Sequence, residues 1–278
     1  MTDERTDEQS VDQQPTNLRS TDPQSVDDTP EISVIVCSLA EREKIDCLAV
    51  LEAQSFDDYE VVLRSDKGLS EARNAGIEAA RADKLVFLDD DSIPAGNYLA
   101  AVVDALEENP VVAGRVFHPG NGVVSTFCGG YDQGDERHYV RPVEGSFRRG
   151  STGMTGCNMA FRREVFETVG GFDEQFKWGH EETDLARRIV AAGYRVLYDP
   201  DMAVSHWYAD SVRGYWTKMA HFGPADLIYD RKWNTPLSER IVETALPFRL
   251  GPTPLAAVVA TIGNIYRSVS YLKAMVRG

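Results

Sequence analysis

Asp89-Asp90-Asp91 directly follows the apolar run Leu85-Val86-Phe87-Leu88. Carboxylates crowded at the end of a strand repel one another, and side chains alternate faces along extended chain, so Asp89 and Asp91 are expected to point the same way toward a cation. Hard oxygen ligands suit Mg²⁺ or Mn²⁺, ions that keep open positions for substrate phosphates. A solvated acidic turn is the plain alternative in an acidic chain. A second pair of acids, Glu181-Glu182, opens a segment of helical periodicity, where the helix dipole favours negative charge, and capping alone would also account for acids there. Asp184 and Arg188 stand at i,i+4 and read as an intrahelical ion pair. His206 ends the β-like stretch Met202-Ala203-Val204-Ser205 and is either a structural residue or a ligand. Trp178 offers a flat apolar face, as fit for a core as for a sugar ring.

The elements that must position these groups follow from periodicity. Ile32-Ser33-Val34-Ile35-Val36-Cys37 is a continuous apolar, β-branched run of the kind found in buried parallel strands. The pattern predicts a helix from Glu43 to Ala53, a strand Tyr59 to Leu63, a helix Ser70 to Ala80, a strand Leu85 to Leu88, a helix Asn97 to Glu108 and a strand Val111 to Phe117. Alternation at this spacing predicts an α/β fold, a mostly parallel sheet with helices on both faces. Ligands of such sheets bind beyond the carboxyl ends of the strands, where Ser38, Arg64 to Asp66 and Asp89 to Asp91 all fall. Residues 118 to 152 lack periodicity and read as pocket-shaping loops. A strand near Cys157 to Phe161, helices at Glu164 to Val169 and Glu181 to Ala192, and a strand Arg195 to Tyr198 complete the pattern.

The chain has 278 residues, 44 acidic against 29 basic, and a formal net charge of -15. One large domain with tails fits this length, and the charge argues against nucleic acid as a partner. Lys is scarce relative to Arg, and an acid-rich, Lys-poor surface fits a protein kept hydrated in concentrated salt, so a halophilic source is expected, with an ordinary acidic cytosolic protein as the alternative. Residues 1 to 30 are polar and acidic with almost no large apolar side chains and read as a disordered tail. Cys37, Cys47, Cys128 and Cys157 show no C-x-x-C spacing, and no secretory leader precedes them, so reduced thiols in a cytoplasmic protein are expected.

Several ordered motifs between Ile32 and Arg231 together resemble the inverting family 2 glycosyltransferases of GT-A fold: the first strand, Gly68-Leu69-Ser70-Glu71-Ala72-Arg73-Asn74-Ala75-Gly76, the strand ending in Asp89-Asp90-Asp91, the turn Gly170-Gly171-Phe172-Asp173, and Glu181-Glu182-Thr183-Asp184-Leu185. The resemblance implies transfer of a sugar from a UDP- or GDP-linked donor. It implies Mg²⁺ or Mn²⁺ on Asp89 and Asp91, with His206 as a third ligand, and donor contacts from Ser38, Asp66, Arg73, Asn74 and Asp90. It assigns the general base to Glu182, with Glu181 second, and places Trp178, Gly179 and His180 on the acceptor side. Here Glu stands at the usual Asp of the base pair, Cys37-Ser38-Leu39-Ala40 replaces the usual Pro-Thr-Tyr-Asn, and Arg64-Ser65-Asp66 the usual Asp-Gly-Ser.

From Leu246 to Gly278 there are basic residues (Arg249, Arg267, Lys273, Arg277) and no acidic one, and Leu250 to Tyr266 carries no charge. An apolar stretch bordered by cations suits an anionic membrane surface. Gly251, Pro252, Pro254, Gly263 and Asn264 argue for an interfacial or re-entrant element over a spanning one, and packing on the catalytic domain is the alternative. The organisation expected is an acidic tail (1-30), a GT-A domain (31-235) and a helical, membrane-associated segment (236-278). A membrane setting would bring a polyprenyl or dolichyl phosphate-linked acceptor, surface-glycan or N-glycan assembly, and a peripheral location on the inner face of the cell membrane. Two rivals remain: a nucleotidyltransferase, although the segment after the first strand lacks a Gly-rich basic phosphate loop, and a catalytically dead carbohydrate-binding module.

Overall fold

A computed structural model describes residues 29–120, 122–125, 132–140, 153–236, 238 and 253–277. The acidic tail up to residue 28, Cys128, much of the loop stretch 118–152 and residues 239–252 with Arg249 lie outside the described residues. The central sheet begins with β1 (Ile32–Cys37), which pairs in parallel with β2 (Tyr59–Arg64) on one side and β3 (Lys84–Asp89) on the other. Alternate residues of β1 enter opposite faces: Val34 and Val36 join one apolar cluster and Ile35 the other, which is why the run is apolar on both faces, save for Ser33, whose buried hydroxyl donates to Glu60 Oε1 at 2.7 Å. The registers Cys37↔Arg64 and Cys37↔Asp89 bring three strand ends to one edge.

Helices α1 (Asp46–Glu52) and α3 (Tyr98–Glu108) cover one face. Helix α1 is shorter than the expected Glu43 to Ala53: Ile45 is buried in extended conformation and separates it from a 3₁₀ turn at Arg42–Lys44. The other face carries α2 (Leu69–Ala79), α4 (Arg163–Val169) and α5 (Glu181–Ala191). Beyond β3 the sheet order is β7 (Asn158–Arg162), β5 (Val111–Phe117), β8 (Leu197–Ser205) and β4 (Ile93–Pro94), and β6 (His138–Tyr139) pairs with β8. Strand β7 enters antiparallel between β3 and β5, whereas β5 and β8 are parallel. Strand β8 is one continuous element where the sequence pattern broke into two, because a register shift against β5 at Gly114/Arg115 absorbs the irregularity. The Asn158 amide fills that shift, donating to the carbonyls of Arg115 and Met202 at 2.9 and 2.8 Å.

Helix α6 (Val212–Trp233) starts at Ser211, whose hydroxyl accepts from the Gly214 amide, and α7 (Pro254–Arg277) starts behind Thr253 with proline at its first position. The two pack along each other. At Gly223 of α6 an added Cβ would lie 2.5 and 2.6 Å from backbone atoms of Tyr271 and Arg267, so only glycine permits this approach. Gly223→Ala is therefore expected to lose about 1–3 kcal/mol through forced helix separation, despite alanine's better helix propensity, as read by chemical denaturation.

The C-terminal helix packs on the domain through one face, with Val259, Gly263, Arg267 and Tyr271 buried. Its other face stays apolar: Leu255, Val258, Ile265, Val269 and Leu272 are exposed, at the three-, four- and seven-residue spacings of a helical stripe. Among the described residues no helix is long and apolar enough to cross a membrane.

Candidate active site

The carboxyl edge of β1, β2 and β3 opens into two adjoining chambers that share Asp89, Leu69 and Trp178. The first is lined by Ser38, Arg64, Asp66, Asp90 and Lys177, the second by Arg73, Cys157, Glu181, Glu182, His206 and Lys218. Asp89 is the last residue of β3, and Asp90 and Asp91 lie in the turn after it. The Ser38 hydroxyl donates to Asp90 Oδ2, which ties the middle carboxylate back to the end of β1. Asp91 turns the other way, toward His206, whose Nε2 lies 3.2 Å from Asp91 Oδ1 and 3.6 Å from Asp89 Oδ2. Asp89 and Asp91 thus converge as expected, although a turn rather than strand alternation brings this about.

Two pairings far apart in sequence place His206. Its amide donates to the Phe117 carbonyl at 2.8 Å, and Ile93 pairs with Ser205, so β4 clips the acidic turn beside the end of β8. Burial raises the Asp89 carboxyl above the usual range against the pull of Arg73 and His206. Burial acts the same way on Asp91, but its hydrogen bond and charge interaction with His206 outweigh it and hold Asp91 low. Asp89, His206 and Cys157 also lie within 4.8 Å of one another by their ligand atoms, a position for Cys157 that no spacing announced. Burial pushes the Cys157 thiol far above its ordinary value, which leaves it a neutral, poor ligand beside the carboxylates. Two carboxylates and an imidazole, crowded and partly desolvated, fit a divalent cation of the Mg²⁺ or Mn²⁺ kind.

Glu181 and Glu182 occupy the first turn of α5, and their surroundings separate them. Glu181 is buried, and its Oε1 accepts from Arg73 Nη1 at 2.8 Å. Arg73, expected on the donor, is itself buried: it donates to the Gly156 carbonyl at 3.0 Å, lies 3.5 Å from Asp89 Oδ1, and spans the acidic turn and the start of α5 while still lining the second chamber. Glu182 is half-buried and faces the chamber, where burial first and the neighbouring Glu181 charge second raise its carboxyl to about 8.

Asn74, also expected on the donor, is absent from both chamber linings. Its amide donates to the Phe172 carbonyl at 2.9 Å and its oxygen accepts from the Phe172 amide at 2.8 Å, so it braces the Gly170 to Asp173 turn. Asp66 does line the first chamber, held at 2.8 and 3.0 Å by the Arg64 guanidinium, which lowers its carboxyl. Asp184 is structural as expected: Arg188 donates to it at 2.9 Å, and Trp233 and Lys232 also reach it.

On the acceptor side, Trp178 packs on Phe222 with ring centroids 4.8 Å apart and presents its other surface to both chambers, and Gly179 lies in the left-handed region at φ 82 against Phe222. His180 departs from the expectation. It is buried, also left-handed at φ 69, and its Nε2 lies 2.8 Å from Asp226 of α6. Arg267 of α7 donates to the same carboxylate at 2.6 Å through Nε and holds it well below the usual range despite burial. His180 therefore anchors the start of α5 to α6 and α7 and is taken out of the acceptor pocket. Removing one partner of a buried ion pair leaves the other uncompensated, so Arg267→Met is expected to lose about 3–5 kcal/mol in denaturant unfolding.

Sequence reasoning missed Lys218 and Tyr208, which line the second chamber. The Lys218 ammonium lies 3.0 Å from the Tyr208 carbonyl and 4.1 Å from its ring centroid, in the field of Asp89 and Asp91. Both are single residues on or before α6 with no motif around them.

The elements and their order define an α/β domain of GT-A type, and the comparisons agree. The profile of the glycosyltransferase-like family 2 matches residues 23–220, and the chain belongs to that family. It is 26% identical over 231 residues, 76% of this chain and 44% of the relative, to the pre-mycofactocin glycosyltransferase of Mycobacterium tuberculosis (strain ATCC 25618 / H37Rv). It is 27% identical over 161 residues, 51% of this chain and 48% of the relative, to the glucosyl-dolichyl phosphate glucuronosyltransferase of Haloferax volcanii. The chain spans about half the length of these curated relatives. Among solved structures, the mannosyltransferase PcManGT from Pyrobaculum calidifontis in complex with GDP-Man and Mn2+ matches with a TM-score of 0.53 at 19% identity, covering 97% of this chain and 78% of that one, a likeness of fold.

Proposed function

We propose that this protein is an inverting glycosyltransferase that moves a sugar from a nucleotide-sugar donor to an acceptor hydroxyl or phosphate on a lipid-linked intermediate. The observation that carries the reading is the shared wall of the two chambers: Asp89 lines both, with Asp66 and Asp90 on one side and Glu182 on the other. The first chamber takes the nucleoside. Asp89, Asp91 and His206 would hold Mg²⁺ or Mn²⁺, which when bound neutralises the charge that builds on the departing diphosphate. Glu182 accepts the proton of the acceptor hydroxyl as that oxygen attacks the anomeric carbon, and a single displacement from the face opposite the leaving group inverts the anomer. Glu181 pairs with Arg73, and Arg73 fixes the distance between the acidic turn and the start of α5. Trp178 supplies a flat apolar surface for the acceptor sugar.

The GDP-Man and Mn2+ bound by PcManGT and the dolichyl phosphate in the name of the Haloferax relative support a nucleotide-sugar donor and a polyprenyl or dolichyl phosphate-linked acceptor. Residues 31-235 form the transferase domain in this reading, and 236-278 bring it to the inner membrane face through the apolar side of α7 and its cations. The acidic, Lys-poor composition supports work in concentrated salt. A panel of UDP- and GDP-sugars with Mn²⁺ in high salt tests the reading. One of them should raise Tm selectively, by mass action, and be consumed only slowly without acceptor. No selective shift across the panel would refute it. The anomeric configuration of the product, read by proton NMR, tests inversion separately.

A further inference from the structure

A groove runs along α6 from the second chamber toward α7. Phe176, Trp178, Ala220, Pro224 and Ile228 line it, and its far end reaches Ser270 of α7. Trp178 lines the groove and both chambers, and Lys177 lines the groove and the first chamber, so the groove adjoins the site at these two side chains. Gln175, Lys177 and His221 also line it, but the lining surface is chiefly apolar, a poor surface for a free sugar and a good one for hydrocarbon. Past Ser270 on the same flank of α7, at i+3 and i+7, stand Lys273 and Arg277, both exposed, and around the helix from them runs the exposed stripe with Val269 and Leu272. The groove therefore lies between the chamber lined by Glu182, which it adjoins at Trp178, and a cationic and apolar helix face of the composition that meets anionic lipid.

We propose that this groove is the seat of the hydrocarbon chain of the acceptor: the headgroup lies at Glu182, the first isoprenoid units pass Trp178 and lie against Ala220 and Ile228, and the remainder enters the lipid surface on which α7 rests. The assignment deepens the reading above, since it names the acceptor's lipid and where this chain holds it. It also explains why α7 is locked to α6 through Gly223 and Arg267: a seam between catalytic domain and membrane-facing helix that slid would break the channel.

The test uses geranylgeranyl phosphate carrying a terminal benzophenone, with the full chain in high salt and peptides mapped by mass spectrometry. Saturable labelling is expected on the peptides that hold Trp178 and residues 220–228, competed by unlabelled decaprenyl phosphate and untouched by inorganic phosphate. Ala220→Trp, which fills the groove, and Ile228→Glu, which makes it polar, should both reduce labelling to background and leave the Tm increase given by the preferred nucleotide sugar plus Mn²⁺ unchanged. That increase reports a folded donor site, so a wild type with donor stabilisation but no labelling overturns the lipid groove alone. Absence of donor stabilisation instead defeats the transferase reading. Labelling that persists in both variants, that falls only on the outer stripe of α7, or that joins two copies of the chain would equally overturn the proposal, the last assigning the groove to self-association.

Discussion

Glu182→Gln is expected to lower the rate of transfer by about 10²–10⁴, the usual contribution of a positioned general base, with donor affinity kept. The amide preserves shape and hydrogen bonding toward the chamber but cannot take a proton. In the wild type, the raised carboxyl means that most molecules carry a protonated Glu182 at neutral pH. A protonated base is inactive, so kcat/KM should rise with pH and level off above about 8, and this limb should vanish from the residual activity of the variant. Stability should move in the opposite sense. A carboxyl whose folded pKa is raised contributes stability below its unfolded value and loses it as pH climbs through the folded one. Glu182→Gln should therefore gain in Tm relative to the wild type between pH 5 and pH 9, a trade of stability for activity common at such sites. A pH-rate profile identical in variant and wild type would transfer the role to Glu181. That residue is poorly suited, because Arg73 occupies its Oε1 at 2.8 Å and its side chain is nearly fully buried.

The second large effect belongs to the acidic turn. Asp91→Ala should abolish the Mn²⁺-dependent increase in Tm and slow transfer by about 10³-fold or more, as loss of several kcal/mol of charge stabilisation on the leaving diphosphate requires. Isothermal titration with Mn²⁺ and then nucleoside diphosphate checks the two parts in turn: the metal heat should disappear, and the nucleotide should bind weakly and without dependence on metal. Asp90 differs from its neighbours. Its carboxylate is tied to Ser38 at the end of β1, so it shapes the first chamber and is not placed to share a cation with His206. Full turnover by Asp91→Ala would be incompatible with the metal reading and would reopen the carbohydrate-binding module as the alternative.

Local pattern carried a large part of this protein. The β-branched run of β1, the alternation of strands and helices as far as β5, and acids at the end of β3 and the start of α5 follow from periodicity and capping, which act within a few residues of chain. The acids at Asp89, Asp91, Glu181 and Glu182 stood out locally for the same reason, but only the resemblance to a family joined them and Trp178 into one site, and the apolar, acid-free tail was legible as unusual. Partners more than about a turn or a strand away were not. His206 reaches Asp91 only because β4 pairs with the end of β8, over a hundred residues later in the chain. Arg73 and Asn74 look alike in sequence, yet one enters the chamber against Glu181 and the other turns away to brace Phe172. His180 is withdrawn from the acceptor by Asp226 and Arg267, Cys157 and Lys218 arrive without any motif, and α7 lies on α6 because two glycine-sized gaps allow it. Which groups can do chemistry is written in residue type and spacing, because charge repulsion and helix dipoles are local. Which of them meet is decided by strand register and helix packing, where the free energy comes from burying surfaces that belong to distant parts of the chain.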